Sequence, residues 1–332
     1  MACFDPTRGG LPRRRLDEDR TVAYLERLAA EEVEGVLIAS STGQGHLRTA
    51  AELETWLRCA ARARTGDTVR MALLRPEDGK DINLRLLDLL AASNFPVVFL
   101  RPGTNLDAGA DAAQVCAQLA PLVAACAERD LAVGLYSISD VSGLPLTAAA
   151  AARLVAAPGG DHIVAVKVTE VDYDESTARF LAHPDLQHLK IVQGWDPHLG
   201  RALRDGPRFD ARGRQRAGLT SGLMALALYQ YRHMLGVAAG GDWEEFDRAQ
   251  QAATALFSAM QDDPRRFADL QRAKYIMGLG HPLTAEISGE QVEKVFTALE
   301  GLPRDEDRRR LAMSLDLMGD GPFHDRLAAL AG

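Results

Sequence analysis

Apolar positions along this chain fall into two recurring patterns. Short, near-continuous runs occur at Val33–Ser40, Thr68–Arg75, Pro96–Arg101, Leu131–Ser137, Ile163–Thr169, Leu189–Gly194 and Ala217–Ser221. Several are β-branched and do not alternate with polar residues, as expected of parallel strands covered on both faces. Between them the spacing is helical. Leu16–Ala30 sets Val22, Leu25 and Leu28 on one stripe behind an acidic first turn. Thr49–Arg62, Asn83–Ala92, Ala112–Arg129 and Thr147–Ala157 follow, with shorter helical patterns at Ser176–Ala182 and His198–Asp205.

Successive strands stand roughly 25–35 residues apart, the size of one βα unit. Counting Met1–Phe4 as a truncated first strand makes eight, and an alternating βα chain of eight strands predicts an α/β fold of the (β/α)8 TIM-barrel type. An open doubly wound sheet is the alternative. After Ser221 the strand pattern stops, and helices are expected at Leu223–Val237, Trp243–Gln261, Arg265–Gly278, Gly289–Gly301 and near Asp307–Met318. The Gly240-Gly241 pair marks a boundary. The expected organisation is a barrel over residues 1–238 and a C-terminal helical domain over 239–332.

Composition narrows the function classes. The 332 residues are 47% hydrophobic and 25% charged, an ordinary globular balance. A net charge of -8 argues against a nucleic-acid partner, which needs a basic face. It leaves a small anionic substrate open, because charge within a pocket decides that. Cys3, Cys59, Cys116 and Cys126 have no C-x-x-C spacing, so neither a zinc site nor a disulfide framework is expected. No apolar run approaches the roughly 18 residues of a membrane span, and MACFDPTRGG lacks a basic-then-apolar leader pattern. The expectation is a cytoplasmic protein with no membrane partner. The histidines show no metal spacing, and no metal or cofactor is expected. The charge runs Arg13–Arg15 and Asp305–Arg310 read as solvated surface.

Three segments carry candidate chemistry. In Ile163–Thr169 the two-residue period puts Ala165, Lys167 and Thr169 on one face and Val164, Val166 and Val168 on the other. If the valine face meets the helices, Lys167 points into the barrel. An amine desolvated there favours its neutral form, the form that attacks a carbonyl. The competing reading is a strand-end lysine reaching water or pairing with Glu170 or Asp172. Tyr136, near the end of its strand on the face of Gly134, offers a phenol for proton transfer, or is a core aromatic. The loop Ser40–Gly45 follows a strand and precedes a helix, and its N–H groups and hydroxyls suit a carboxylate or phosphate. A simple turn is the alternative. Gly43-Gln44-Gly45 also opens like a dinucleotide fingerprint, but Arg48 stands where the third glycine belongs. These segments and Gly194 all fall at strand C-terminal ends, the face on which barrel enzymes build their sites.

These motifs resemble the dihydrodipicolinate synthase and N-acetylneuraminate lyase family of class I pyruvate-type aldolases. Cys3–Pro6 resembles the family's T-P-F opening, and Ser40–Gln44 (SSTGQ) its G-T-T-G-E. Leu135–Ile138 resembles L-Y-N-x-P, Val166-Lys167 the [IV]-K strand, and Ile191–Asp196 x-x-x-G-x-D. Lys274–Leu283 resembles K-x-x-L-x-x-x-G-x-x-x-P-L. The resemblance implies that Lys167 forms a Schiff base with a 2-oxo acid and that Tyr136 shuttles protons. It implies that Ser41 and Thr42 hold the substrate carboxylate, Ser41 also joining the relay, and that Thr104 and Gly194 lie beside the substrate. It further implies a homodimer or homotetramer and, depending on the reaction, an aldehyde as second substrate.

The chain departs from the family pattern in places. Pro102-Gly103-Thr104-Asn105 stands where many members have P-Y-Y-N, so Thr104 replaces the second relay tyrosine. Val141 occupies the place of the arginine that holds a semialdehyde carboxylate in true dihydrodipicolinate synthases, and valine cannot supply that fork. Ser137 replaces an asparagine and Gln44 a glutamate. The expectation is a lyase or aldolase on another 2-oxo acid. The alternatives are a 2-oxo acid dehydratase, a non-catalytic metabolite-binding paralogue, and a nicotinamide oxidoreductase built on the Ser40–Gly45 loop.

Overall fold

A computed structural model of the chain describes residues 15–260, 268–277, 279, 283, 287–313 and 323–330. The chain divides into two compact units, one of Glu26–Ser40 and Thr49–Thr220, the other of Met1–Leu25, Ser41–Arg48 and Ser221–Gly332.

The first unit holds the sheet. Strands β1 (Gly35–Ile38), β2 (Val69–Leu74), β3 (Val97–Leu100), β4 (Ala132–Ser137), β5 (Ile163–Val168), β6 (Lys190–Gln193) and β7 (Ala217–Leu219) each lie within one of the seven apolar runs. All pair in parallel, and each bonds the next in chain order. A doubly wound sheet would reverse its order at a switch point, whereas this sequential order is that of a (β/α)8 barrel. The segment Met1–Phe4, expected as a first strand, lies outside the described residues.

Helices join the strands. Leading into β1 is α1 (Glu18–Ala30). Then come α2 (Ala50–Arg62), α3 (Lys80–Ala92), α4 (Ala112–Ala127), α5 (Ser139–Ser142), α6 (Ala148–Val155), α7 (Thr177–Ala182) and α8 (Leu199–Arg208). Two of them start on reciprocal caps. Thr49 Oγ1 accepts from Glu52 N at 3.2 Å while Glu52 accepts from Thr49 N at 2.7 Å, and Asp111 and Gln114 repeat the arrangement for α4. At the other end of α2, Arg70 of β2 donates to Ala60 O and Ala61 O, and also to Ser93 O just past α3. One guanidinium thus meets carbonyls at the C-terminal ends of two helices.

The sheet face turned to the helices is closed. Ile38, Leu74, Leu100, Leu135, Val166 and Val168 are at most 1% exposed, and each such side chain contributes roughly 1.5–3 kcal/mol by leaving water. Val164 does not share this fate. It is the second residue of its strand, passed over in the pairing with β4, where Val133 opposes Ile163 and Gly134 opposes Ala165, and it is 43% exposed.

The second unit is helical: α9 (Leu228–Ala239), α10 (Trp243–Met260), α11 (Ala268–Ile276), α12 (Gly289–Glu300), α13 (Asp305–Met313) and α14 (His324–Ala329), together with short 3-10 turns at Ser41–Gly43 and Gly45–Leu47. Residues 261, 265–267, 278 and 314–318 of the expected helices, and residues 278 and 280–282 of the KYIMGLGHPL stretch, lie outside the described residues. The charge run Asp305–Arg310 is not uniformly solvated. Asp307 is fully buried and accepts from Tyr229 N and Gln230 N at 2.9 Å, while Arg310 donates to Ala225 O at 2.7 Å. A run of charges says nothing about which helix face turns inward, and here one acid caps α9.

Candidate active site

Five register pairs join β4 to β5, and one of them sets Tyr136 opposite Lys167. Residues opposed in a ladder share a face, so phenol and amine project to the same side. The side chains meet: Lys167 Nζ lies 4.3 Å from the centroid of the Tyr136 ring. Both are buried, Tyr136 at 1% exposure and Lys167 at 8%. Below them small residues leave room. Gly134 has no side chain where the Phe99 ring comes across, and a Cβ there would stand 2.4 Å from a ring carbon.

The alternative partners of Lys167 are otherwise engaged. Asp172 accepts from Glu175 N at 3.0 Å. Glu170 accepts from Ser137 Oγ at 2.6 Å and from Ser139 N at 2.9 Å and Oγ at 2.5 Å. Among the described residues no carboxylate pairs with Lys167. Burial pushes the Glu170 carboxyl above its ordinary range, and the hydrogen bonds from Ser137 and Ser139 work against that shift.

Thr169 joins this group, although the sequence pattern marks it only as a small neighbour of Lys167. Tyr136 Oη donates to Thr169 Oγ1 at 3.2 Å. Gly194, one residue past β6, closes over both: a Cβ on it would meet Thr169 Oγ1 at 2.4 Å and Lys167 Cε at 3.2 Å. A glycine is therefore needed for space.

Ser41 and Thr42 belong to the helical unit. Ser41 is buried and Thr42 half-buried, on the 3-10 turn three residues after β1. Gln271 of α11 donates through Nε2 to Thr42 O and accepts from Lys274 Nζ at 2.9 Å. Gln44, in the left-handed region at φ 56, accepts from Leu283 N at 2.9 Å through its side chain. The loop does not open a helix, as a dinucleotide fingerprint would. It continues into a second 3-10 turn, and α2 starts beyond it on its own cap, Thr49. Thr104 sits exposed on the turn after β3, where Gln118 accepts from Gly103 N and donates to Asn105. The structure thus gathers Lys167, Tyr136, Thr169 and Gly194 and puts Thr104 in a separate exposed turn.

Among the described residues no cluster of His, Cys, Asp and Glu is arranged to hold a metal, and no helix is long and apolar enough to cross a membrane. Cys59 and Cys126 are buried and Cys116 half-buried, all three as free thiols. The local chemistry is that of an amine beside a phenol and a hydroxyl.

No protein-family model and no curated sequence matches the chain. Solved structures do. A sialic acid aldolase from Ruminococcus gnavus superposes with a TM-score of 0.72 at 15% identity, over 93% of this chain and 96% of that one. A dihydrodipicolinate synthase from Cyanidioschyzon merolae gives 0.71 at 16%, over 91% and 95%. A prophage protein of the dihydrodipicolinic acid synthase family from E. coli K12, in complex with pyruvate, gives 0.69 at 17%, over 86% and 93%. The fold is that of the dihydrodipicolinate synthase family. At these identities the likeness to that family is one of architecture, a parallel βα barrel followed by helices, and the chemistry rests on the residues above.

Proposed function

We propose that the protein is a Schiff-base-forming lyase or aldolase acting on a 2-oxo acid of the pyruvate type, with Lys167 as nucleophile. The observation that carries this reading is the placement of the Lys167 amine: buried, without a carboxylate partner among the described residues, and over the ring of Tyr136. The amine adds to the ketone carbon, and the carbinolamine loses water to give an iminium. On a substrate with a hydroxyl at C4, loss of that hydroxyl's proton to the phenolate form of Tyr136 and breaking of the C3–C4 bond send the electron pair into the iminium, releasing an aldehyde and leaving an enamine. Protonation at C3 and hydrolysis return the amine and the shortened 2-oxo acid. Tyr136 is proposed to move the protons, its phenol fixed by Thr169.

The family resemblance supports carboxylate binding by Ser41 and Thr42 and a place beside the substrate for Gly194 and Thr104. It also supports a homodimer or homotetramer working in the cytoplasm. With Val141 in place of the arginine fork, a substrate with a second carboxylate at that position is disfavoured. Dehydration of a 2-oxo acid through the same iminium is the closest alternative. The exposed Thr104, where a relay tyrosine would stand, favours a different second reading, a paralogue that binds 2-oxo acids without turning them over.

Borohydride reduction with pyruvate and a panel of 2-oxo acids tests the proposal. The reduced adduct is expected on the peptide containing Lys167 and absent from Lys167→Ala. An unmodified Lys167 peptide across the panel refutes it, and a thermal shift without any adduct would establish the binding paralogue instead.

A further inference from the structure

We infer that Glu170 is a positioning residue whose carboxylate ties the chain leaving β4 to the end of β5 and so keeps the Tyr136 phenol beside Lys167. The inference rests on the roles proposed for those two residues. Tyr136 is followed by Ser137, and Thr169, its hydroxyl partner, by Glu170. The two following residues are joined by the 2.6 Å bond from Ser137 Oγ to Glu170. The bonds from Ser139 N and Oγ fill the same carboxylate from the start of α5. Ser137 Oγ in turn accepts from Leu146 N at 3.0 Å, which fastens the chain beyond α5 to the same point. The backbone adds its own link, Thr169 N donating to Ser137 O at 2.9 Å.

Glu170 is only 7% exposed, and a buried carboxylate is costly unless its lone pairs are met. An ionised carboxylate accepts at about four sites, and here three donors from two residues converge on it. One of them is a backbone N–H at position 139, where the L-Y-N-x-P pattern has a proline and no N–H to give. The departure from the pattern at residue 139 thus supplies one of the donors to Glu170. Nothing in this network touches a reacting atom. What it fixes is the separation of the ring from the amine, and a misplacement of about 1 Å in such a constellation costs on the order of 100-fold in rate.

Glu170→Gln keeps the shape and one oxygen acceptor, with a serine hydroxyl free to turn and accept from the new amide. Glu170→Ala removes the tie, and Ser139→Ala removes one donor. Three measurements read them: adduct formation at Lys167, exchange of the C3 protons of pyruvate in D2O followed by NMR, and backbone deuterium uptake over residues 136–142. The expected result for Glu170→Ala is an adduct that still forms, C3 exchange slowed about 10- to 100-fold, and raised uptake over 136–142. Glu170→Gln should stay within about threefold of the parent, with Ser139→Ala in between. Should Glu170→Ala fail to fold, the ordering of Ser139→Ala behind Glu170→Gln decides in the same way. Unchanged exchange and uptake in Glu170→Ala overturn the inference. So does an equal loss in the Gln and Ala variants without a change in uptake, which would make the charge itself the active element. Absence of any adduct in the parent protein would refute the Schiff-base reading instead. Uptake over 136–142 would then judge the clamp by itself: raised in Glu170→Ala it stands, unchanged it falls.

Discussion

Adding one methyl group at Gly194 is the sharpest test of how the Lys167 site is packed. An alanine Cβ there would stand 2.4 Å from Thr169 Oγ1, 3.2 Å from Lys167 Cε and 3.3 Å from Val168 O. The last two contacts relax by a few tenths of an ångström. The first does not, because ordinary contact begins near 3.4 Å, so Thr169 must retreat by about 1 Å and carry away the acceptor of the Tyr136 phenol. Overpacking of this kind costs about 1–3 kcal/mol, a few degrees in melting temperature. The displacement at the phenol and amine should slow adduct formation with pyruvate by on the order of 100-fold. The control is Gly218→Ala, whose new Cβ would meet Val192 Cγ2 at an ordinary 3.9 Å. It should change stability by less than about 0.5 kcal/mol and leave the trapping rate unaltered. The assay is the initial rate of borohydride trapping, with thermal unfolding of the same samples. A Gly194→Ala protein that melts and traps like the parent would show that Lys167 and Thr169 are not gathered under this glycine.

Two further outcomes follow from buried ionisable groups. Burial pushes the Cys126 thiol up to about 12, so its thiolate is nearly absent at pH 8 and iodoacetamide should label half-buried Cys116 far faster in the native protein; equal labelling by mass spectrometry would contradict the packing of α4. Glu170 is raised above 4.5 by burial, so the folded state holds its proton more tightly than the unfolded chain does. Its contribution is fully present below the unfolded value and is lost as pH rises through the folded one. Glu170→Gln does not titrate, so its melting temperature relative to the parent should rise as pH increases from about 4.5; a flat or falling difference would mean that the carboxylate is not desolvated.

The parts of the molecule legible in the sequence are those written in local pattern. Parallel strands buried on both faces leave near-continuous apolar runs, and all seven were readable together with the side to which Lys167 turns. The same pattern carries no pairing between distant residues. Glu170 stands three residues past Lys167 and looks like its ion-pair partner, yet it is taken up by Ser137 and Ser139 from another strand end. Thr169 passes for a small neighbour until the phenol of Tyr136 is seen to donate to it. The helix expected at Thr49–Arg62 is there, its start set by the capping pair Thr49 and Glu52, whereas the two 3-10 turns between β1 and that cap left no mark in the pattern. Asp307 hid within a charge run, because alternating signs reveal a polar segment and not which of its members is turned inward.

The strictly sequential ladder also bears on how the protein is made. A ribosome delivers β1 to β7 in the order in which they bond, so each emerging βα segment can dock on an edge already in place. Tyr136 and Lys167 lie on consecutive strands, and the residues that tie them together end at Glu170, two positions past β5. The pair can thus be assembled on the nascent polypeptide while the C-terminal helices are still unsynthesised.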